Sequence, residues 1–223
     1  MARKTVRTIP QERAEMPTQA PEARKRNFEE VALGFDLDAA LLEAERCLLC
    51  PNPTCVPACP VNIDIPGFIS KISEKDYRGA YDILTESTLL PAICGRVCPQ
   101  EDQCEGVCPV GGALEPVAIG RLERWIGDMA IAEGWRNVPS IQSNGIKIGI
   151  VGSGPAGMAC AADMAKAGCD VTIFEALHQA GGVLRYGIPE FRLPNEVLDA
   201  ELENLKALGV RIECNTLVGR LFT

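Results

Sequence analysis

Histidine is all but missing from this chain: 223 residues hold a single one, His178. A histidine-built metal centre is therefore out of reach, and nothing in the sequence resembles a nucleophile set beside a base for hydrolysis. Long apolar runs are missing too, so no segment has the length that a membrane-spanning helix requires. The N-terminus carries no apolar signal core. These two absences make a cytoplasmic location the expectation, and in that compartment disulfides are rare. Positive charge is in deficit, with 22 Lys and Arg against 30 Asp and Glu and a net charge of −8, which argues against nucleic acid as a partner. Aromatic residues make up 5% of a chain that is 47% hydrophobic, a composition ordinary for one or two domains that bury a core.

Cysteine, by contrast, is plentiful. Eight of the eleven lie between residues 47 and 108, as Cys47-x2-Cys50-x4-Cys55-x3-Cys59-Pro60 and Cys94-x3-Cys98-Pro99-x4-Cys104-x3-Cys108-Pro109. A four-iron cube needs four ligands converging on its corners, and closely spaced cysteines on loops reach several corners of one cube. The two runs thus read as the ligand supply of two iron–sulfur clusters, and the chain as a mover of electrons. A run whose last cysteine precedes proline resembles the bacterial ferredoxin run, whose last cysteine serves the other cluster. Cys59 should then cross to the second cluster, and a cysteine of the second run should return to the first. Two plainer readings stand beside this one. Structural zinc would want pairs of C-x2-C, a spacing that only Cys47 and Cys50 have. Disulfides would need an oxidising compartment.

Residues 1–26 hold seven basic residues (Arg3, Lys4, Arg7, Arg13, Arg24, Lys25, Arg26) against Glu12, Glu15 and Glu22, so this arm is +4 and the remainder −12. Such a tail reads as a mobile or loosely docked arm, or as a segment that lies on an acidic partner subunit. Asp36 or Asp38 caps a helix to about Cys47. Ile65 to Leu84 reads as helical, with Phe68, Ile69, Ile72, Tyr77, Ala80, Tyr81 and Leu84 on its buried face and a break near Ser73–Lys75. Pro116 suits the first turn of a helix to about Glu133, and Gly134 stops it. Val138 to Gly145 is a linker rich in Pro, Ser, Asn and Gly.

Beyond the linker the pattern changes. Ile146 to Val151 is a short buried strand, Gly152-Ser153-Gly154-Pro155-Ala156-Gly157 opens an alanine-rich helix to about Lys166, and Val171 to Phe174 is a second strand ending at Glu175. G-x-G-x-x-G is weak evidence alone, but here a strand precedes it, a helix follows, and an acid comes 23 residues after Gly152. Gly152 permits the tight turn, Gly154 the approach of a pyrophosphate, and Gly157 close helix–strand packing, while Glu175 suits a ribose hydroxyl pair. The helix N-terminus offers its amides to the phosphates. A helix then runs from Leu193 to about Leu208, followed by a strand from Val210 to Cys214. Cys160, Cys169 and Cys214 read as buried packing residues, and His178 as a loop residue rather than a base.

With the segment Gly181-Gly182-Val183-Leu184-Arg185-Tyr186-Gly187-Ile188-Pro189-Glu190-Phe191-Arg192-Leu193-Pro194 the chain resembles, from about Asn27 onward, the family of the NADPH-dependent glutamate synthase small (beta) subunit. That family includes the large subunit of NADH-dependent ferredoxin:NADP oxidoreductase and the N-terminal part of dihydropyrimidine dehydrogenase. The cysteine pattern, the fingerprint and this segment carry the resemblance together. It implies an α+α/β chain: an all-helical domain of the alpha-helical ferredoxin type with two 4Fe-4S clusters at 27–137, a linker at 138–145, and an incomplete Rossmann-like FAD-binding βαβ domain at 146–223, after the basic arm 1–26. FAD would rest its pyrophosphate on Gly152 to Ala156 and its ribose on Glu175, with further contacts from Gly182, Val183, Arg192, Val218 and, from the helical domain, Val97. Arg192 otherwise reads as a surface arginine.

The resemblance also assigns ligands. One cluster takes Cys47, Cys50, Cys55 and Cys108, and the other Cys59, Cys98, Cys104 and Glu123, which leaves Cys94 spare, whereas spacing alone would use all eight cysteines. FAD would take a hydride from NADPH and the clusters would pass single electrons to a large partner subunit, as in glutamate synthase. Alternatives are a component of an electron-bifurcating ferredoxin:NADP oxidoreductase and a non-catalytic iron–sulfur electron-transfer module. Family members continue into an NADPH-binding domain that this chain lacks, so it is expected to be a fragment or split subunit, inactive alone and in need of its missing piece for full stability.

Overall fold

The computed structural model describes residues 9–220. Asp36 accepts a hydrogen bond from Ala39 N at 2.8 Å and so starts α2 (Leu37–Glu45), after the short α1 (Pro21–Arg24). A single turn, α3 (Cys55–Ala58), follows in the first cysteine run. The expected helical stretch divides into α4 (Ile65–Ser73) and α5 (Tyr77–Ser87) where expected, because Lys75 takes a positive φ of 62° and Asp76 caps the second helix through Gly79 N at 3.0 Å. Their buried faces, Phe68, Ile69, Ile72, Ala80, Tyr81 and Leu84, join Leu122 and Ile126 of α7 (Ile119–Ala132) in one hydrophobic core. Gly134, at φ 67°, ends that helix as expected.

Its beginning is a correction. Pro116 does not open α7; the carbonyls of Glu115 and Pro116 accept from the buried Arg46 guanidinium at 2.6 and 3.2 Å, and the helix starts three residues later. A second difference is α6 (Pro91–Val97), overlapping the start of the second cysteine run, which periodicity did not signal. It crosses α7 so closely that a Cβ on Gly95 would stand 2.4 Å from Arg124 N, so the crossing depends on glycine there.

The other face of α6 belongs to a second core. Leu90 and Ile93, with partly buried Cys94 and Val97, pack among Met158, Ile173, Leu184, Leu193 and Leu198 of the βα part. That part comprises β1 (Lys147–Val151), α8 (Pro155–Lys166), β2 (Asp170–Phe174), α9 (Val183–Tyr186), α10 (Asn195–Ala207) and β3 (Arg211–Glu213). The strands are parallel in the order β1-β2-β3, with Ile148 opposite Val171 and Ile173 opposite Ile212. Expected as a buried strand, β1 is instead the sheet edge, with Lys147, Gly149 and Val151 exposed, because no strand lies on its outer side among the described residues. Residues 138–145 hold no helix or strand. No helix among the described residues is long and apolar enough to cross a membrane.

The basic arm is docked from residue 9 onward rather than mobile. Arg13 pairs with Glu105 at 2.6 Å, Gln19 N donates to Val31 O at 2.8 Å, and Val31 N donates to Phe191 O at 2.9 Å, so the segment crosses from one core to the other. Arg3, Lys4 and Arg7 lie outside the described residues.

A buried carboxylate closes the seam between the two cores. Glu201 of α10 accepts from Ala92 N at 3.2 Å and Asn204 Nδ2 at 3.1 Å. Burial pushes its carboxyl up from 4.5 to about 7. The folded state therefore holds the proton more tightly, and stability declines as pH rises from about 4.5 to about 7. Glu201→Gln should stabilise the chain by roughly 2–4 kcal/mol at pH 8, with the gain shrinking toward pH 5. Urea unfolding at the two pH values measures this, and a pH-independent difference would contradict it.

Candidate functional site

Cys47 follows the end of α2, Cys50 follows Leu49 at a positive φ of 48°, Cys55 opens α3, and Cys108 precedes a 3-10 turn at Pro109–Gly112. These four thiols line one pocket together with Ile65, Ile69, Val117 and Ile119. Thr54 Oγ1 donates to Val107 O at 2.7 Å and ties the two loops together. Burial, then the charges of Cys47, Cys108 and Cys50, push the Cys55 thiol up to about 11. The four groups are therefore close enough to oppose one another's ionisation. The same pocket brings Cys108 of the second run beside three cysteines of the first.

A second group forms around α6 and α7. Cys59 ends α3, Cys98 ends α6, Cys104 lies in the loop beyond, and Glu123 comes from the second turn of α7. Burial, then Glu105, Glu123 and Cys59, push Cys104 up to about 12. Burial and then the Cys98 charge push Glu123 well above the usual carboxylate range. Glu123 is buried, and its Oε1 has no hydrogen-bond partner. Such an orphan is costly unless something bound at the site meets it. Cys94 is nearby but partnered: its sulfur lies 3.9 Å from Thr88 Oγ1, and its hydrogen bond with Cys98 raises its own pKa and lowers that of Cys98.

No disulfide joins any of the eleven cysteines. Among the described residues no three of His, Cys, Asp and Glu converge as ligands of one metal ion. Thiols spread around a cavity suit a multi-iron cage.

The fingerprint loop has the geometry that its glycines foretold. Gly152 turns at φ 94°, and a Cβ on Gly157 would stand 2.0 Å from Gly152 O, so α8 could not approach β1 with any other residue there. A Cβ on Gly154 would meet nothing within 4 Å, which leaves room for a ligand. Pro155 opens α8, whose first turn has no side-chain cap, so the amides of Ala156 and Gly157 remain for an anion. Glu175 accepts from Ser153 N at 2.9 Å, Ser153 Oγ and Leu177 N at 2.8 Å. Burial opposes its ionisation, but the Ser153 and Leu177 hydrogen bonds prevail and hold its pKa down.

Ser153 binds the loop together. Its side chain is fully buried and accepts from Gly181 N at 2.9 Å, so its polar groups join three loops rather than face outward. Gly182, at φ 53°, lies against Gly154, while Val183, Arg192 and Val218 are exposed and Val97 is half-buried beneath the second core. Cys160 is exposed, which corrects its reading as a buried packing residue, whereas Cys169 and Cys214 are half-buried and pack against the second core. His178 is a loop residue, with Nδ1 3.3 Å from Tyr186 Oη. Glu43, Arg46 and Glu105, all buried, escaped the sequence reading because charged residues near helix ends look solvated there.

Residues 24–135 match the family described as dihydropyrimidine dehydrogenase domain II, 4Fe-4S cluster, and residues 150–209 match the NAD(P)-binding Rossmann-like domain. The chain is 36% identical over 221 residues to the glutamate synthase [NADPH] small chain of Escherichia coli K12, covering 99% of this chain and 47% of that one. It is 40% identical over 197 residues to the NAD-dependent dihydropyrimidine dehydrogenase subunit PreT of the same organism, covering 88% and 48%. The glutamate synthase [NADPH] small chain of Halomonas elongata is 35% identical over 198 residues, covering 88% and 42%. The chain thus spans about half the length of these relatives.

Proposed function

Because the chain belongs to the dihydropyrimidine dehydrogenase domain II family with its 4Fe-4S cluster, we propose that it is the electron-transfer part of an NAD(P)H-dependent oxidoreductase, with FAD in the Rossmann-like part and two 4Fe-4S clusters in the helical part. On this reading residues 1–26 are an arm, 27–137 the cluster domain, 138–145 a joint and 146–223 the first part of the flavin domain. Cys47, Cys50, Cys55 and Cys108 would hold one cluster, and Cys59, Cys98, Cys104 and Glu123 the other. The shared cavity supports the first set, and the orphan oxygen of Glu123 beside Cys98 and Cys104 supports the second. Cys94 already has Thr88 and Cys98 as partners and stays outside.

The observation that carries the reading is α6, which ends in Cys98 of the second set while its Ile93 and Val97 pack in the Rossmann-like core. One helix thus joins the dinucleotide loop's core to the thiols. When bound, FAD supplies hydride acceptance from NADPH, and the clusters supply one-electron carriage. The chain's own residues bind and orient. Gly152, Gly154 and the first amides of α8 receive the pyrophosphate, Glu175 accepts from the ribose hydroxyls, and Arg192 offers a guanidinium to phosphate or flavin charge. Val97, Gly182, Val183 and Val218 line the flavin, and Ile65, Ile69, Val117 and Ile119 keep water from the first cluster. NADPH would enter through the portion of the relatives that the chain does not span, and electrons would leave to a large partner subunit like that of glutamate synthase.

The native-length polypeptide, purified anaerobically, should be yellow-brown, carry FAD and roughly eight irons per chain, and bleach with NADPH. Zinc without acid-labile sulfide would overturn this reading. A second reading is favoured by the description of the matched domain at 150–209, in which the fingerprint holds a nicotinamide dinucleotide directly. Retained FAD decides against it. Gly157→Ala should weaken flavin binding by about tenfold or more while iron stays in place, since the added Cβ pushes α8 off Gly152 O. Unchanged flavin content would contradict that role.

A further inference from the structure

The helix that carries Glu123 receives no cap from its own flanking residue, Ala118. Two buried carboxylates from elsewhere take its first amides instead: Ala118 N donates to Glu43 Oε1 at 2.7 Å, and Gly120 N to Glu105 Oε1 at 3.1 Å. Each carboxylate has its own arginine. Arg46 Nη1 lies 2.8 Å from Glu43 Oε1, and Arg13 Nη2 lies 2.6 Å from Glu105 Oε2. Arg13 reaches Glu105 across 92 residues, from an arm segment whose neighbours are also fastened: Pro10 O accepts from Arg46, Ala14 N donates to Glu43, and Ala14 O accepts from Arg121.

Glu105 directly follows Cys104, and Gly120 precedes Glu123 by three residues. One carboxylate therefore links the loop of a thiol ligand to the helical turn below the orphan oxygen. We infer that the Arg13–Glu105 pair is a positioning device for Glu123, setting the first turn of α7 so that the Glu123 carboxylate faces Cys98 and Cys104. Arg13 is what makes this possible. Without its guanidinium an unpaired carboxylate would stand buried beside thiolates, an arrangement relieved when Glu105 turns to water and releases Gly120 N. Arg121 also faces Glu105, but its guanidinium donates to Ala14 O at 3.1 Å, and Arg124 and Arg96 are engaged with Glu30 and Asp128, so Arg13 is the direct partner of Glu105.

The inference rests on the reading of Glu123 as a cluster ligand, and the test separates the two. In the anaerobically purified holoprotein, Arg13→Ala, Arg13→Lys, Glu105→Ala and Glu123→Ala are compared by iron content, the paramagnetic signal of each cluster after reduction, and midpoint potentials. Arg13→Ala and Glu105→Ala should shift the second set's signal and potential in the same direction as Glu123→Ala, and Arg13→Lys should largely restore them. The signal of the Cys47 set should stay unchanged in all four. If Glu123→Ala shifts the signal and the Arg13 and Glu105 variants do not, the positioning role is overturned while the ligand reading stands. Equal changes in both clusters would mean general loosening and also overturn it. A Glu123→Ala protein with full iron and an unaltered signal overturns both.

Discussion

Glu123→Ala is expected to change the paramagnetic signature of one cluster and to leave the other intact, whereas Cys94→Ser leaves both intact. The two side chains compete for the same corner in the sequence, and their surroundings separate them. Cys94 has Thr88 and Cys98 as partners, while Glu123 holds a buried oxygen with none. A carboxylate is a harder ligand than a thiolate, and ligand identity is one control on cluster potential, so its loss should move the potential as well as the signal. Affinity for iron at the second set should fall about 10- to 100-fold, the range in which perturbations around metal sites act. Iron analysis with spectroscopy after stepwise reduction measures both effects. If Cys94→Ser changes the signal and Glu123→Ala does not, Cys94 returns to the ligand set.

Glu43→Ala should lower stability by about 3–5 kcal/mol, because it leaves the fully buried Arg46 guanidinium without its counter-charge. The carboxylate also accepts from Ala14 N and Ala118 N, both at 2.7 Å, so three segments lose an anchor together. That loss is a large part of a typical folding free energy of about 5–15 kcal/mol. The double variant Glu43→Leu, Arg46→Met should be less destabilised than Glu43→Ala, since no charge then remains unpaired. Denaturant unfolding measures both, and a cost below about 1 kcal/mol for Glu43→Ala would show the pair to be dispensable.

Much of this site is legible residue by residue. The break at Ser73–Lys75, the cap at Asp36 and the stop at Gly134 follow from local chemistry, since a short carboxylate or a permissive φ acts within one turn. The fingerprint glycines are legible for the same reason, each answering a clash or a turn within a few residues. Other features had no local signal. α6 is two turns long, too short for periodicity to announce, yet it links the second thiol group to the Rossmann-like core. Pro116 looks like a helix start until Arg46, seventy residues away, claims its carbonyl. The exposure of β1 depends on which strand lies beside it, not on its own apolar composition.

The residues by themselves determine the chemistry at hand: which thiols come in runs, which glycines shape the turn before α8, and where helices begin and end, because spacing and φ preferences act over a few residues. Only the tertiary structure decides which thiols face one another, why Glu123 has a free oxygen, and that the basic arm docks on its own chain. Those outcomes depend on burial and on charge pairs between segments as many as 92 residues apart, where the energy of an ion depends on how much water is excluded around it.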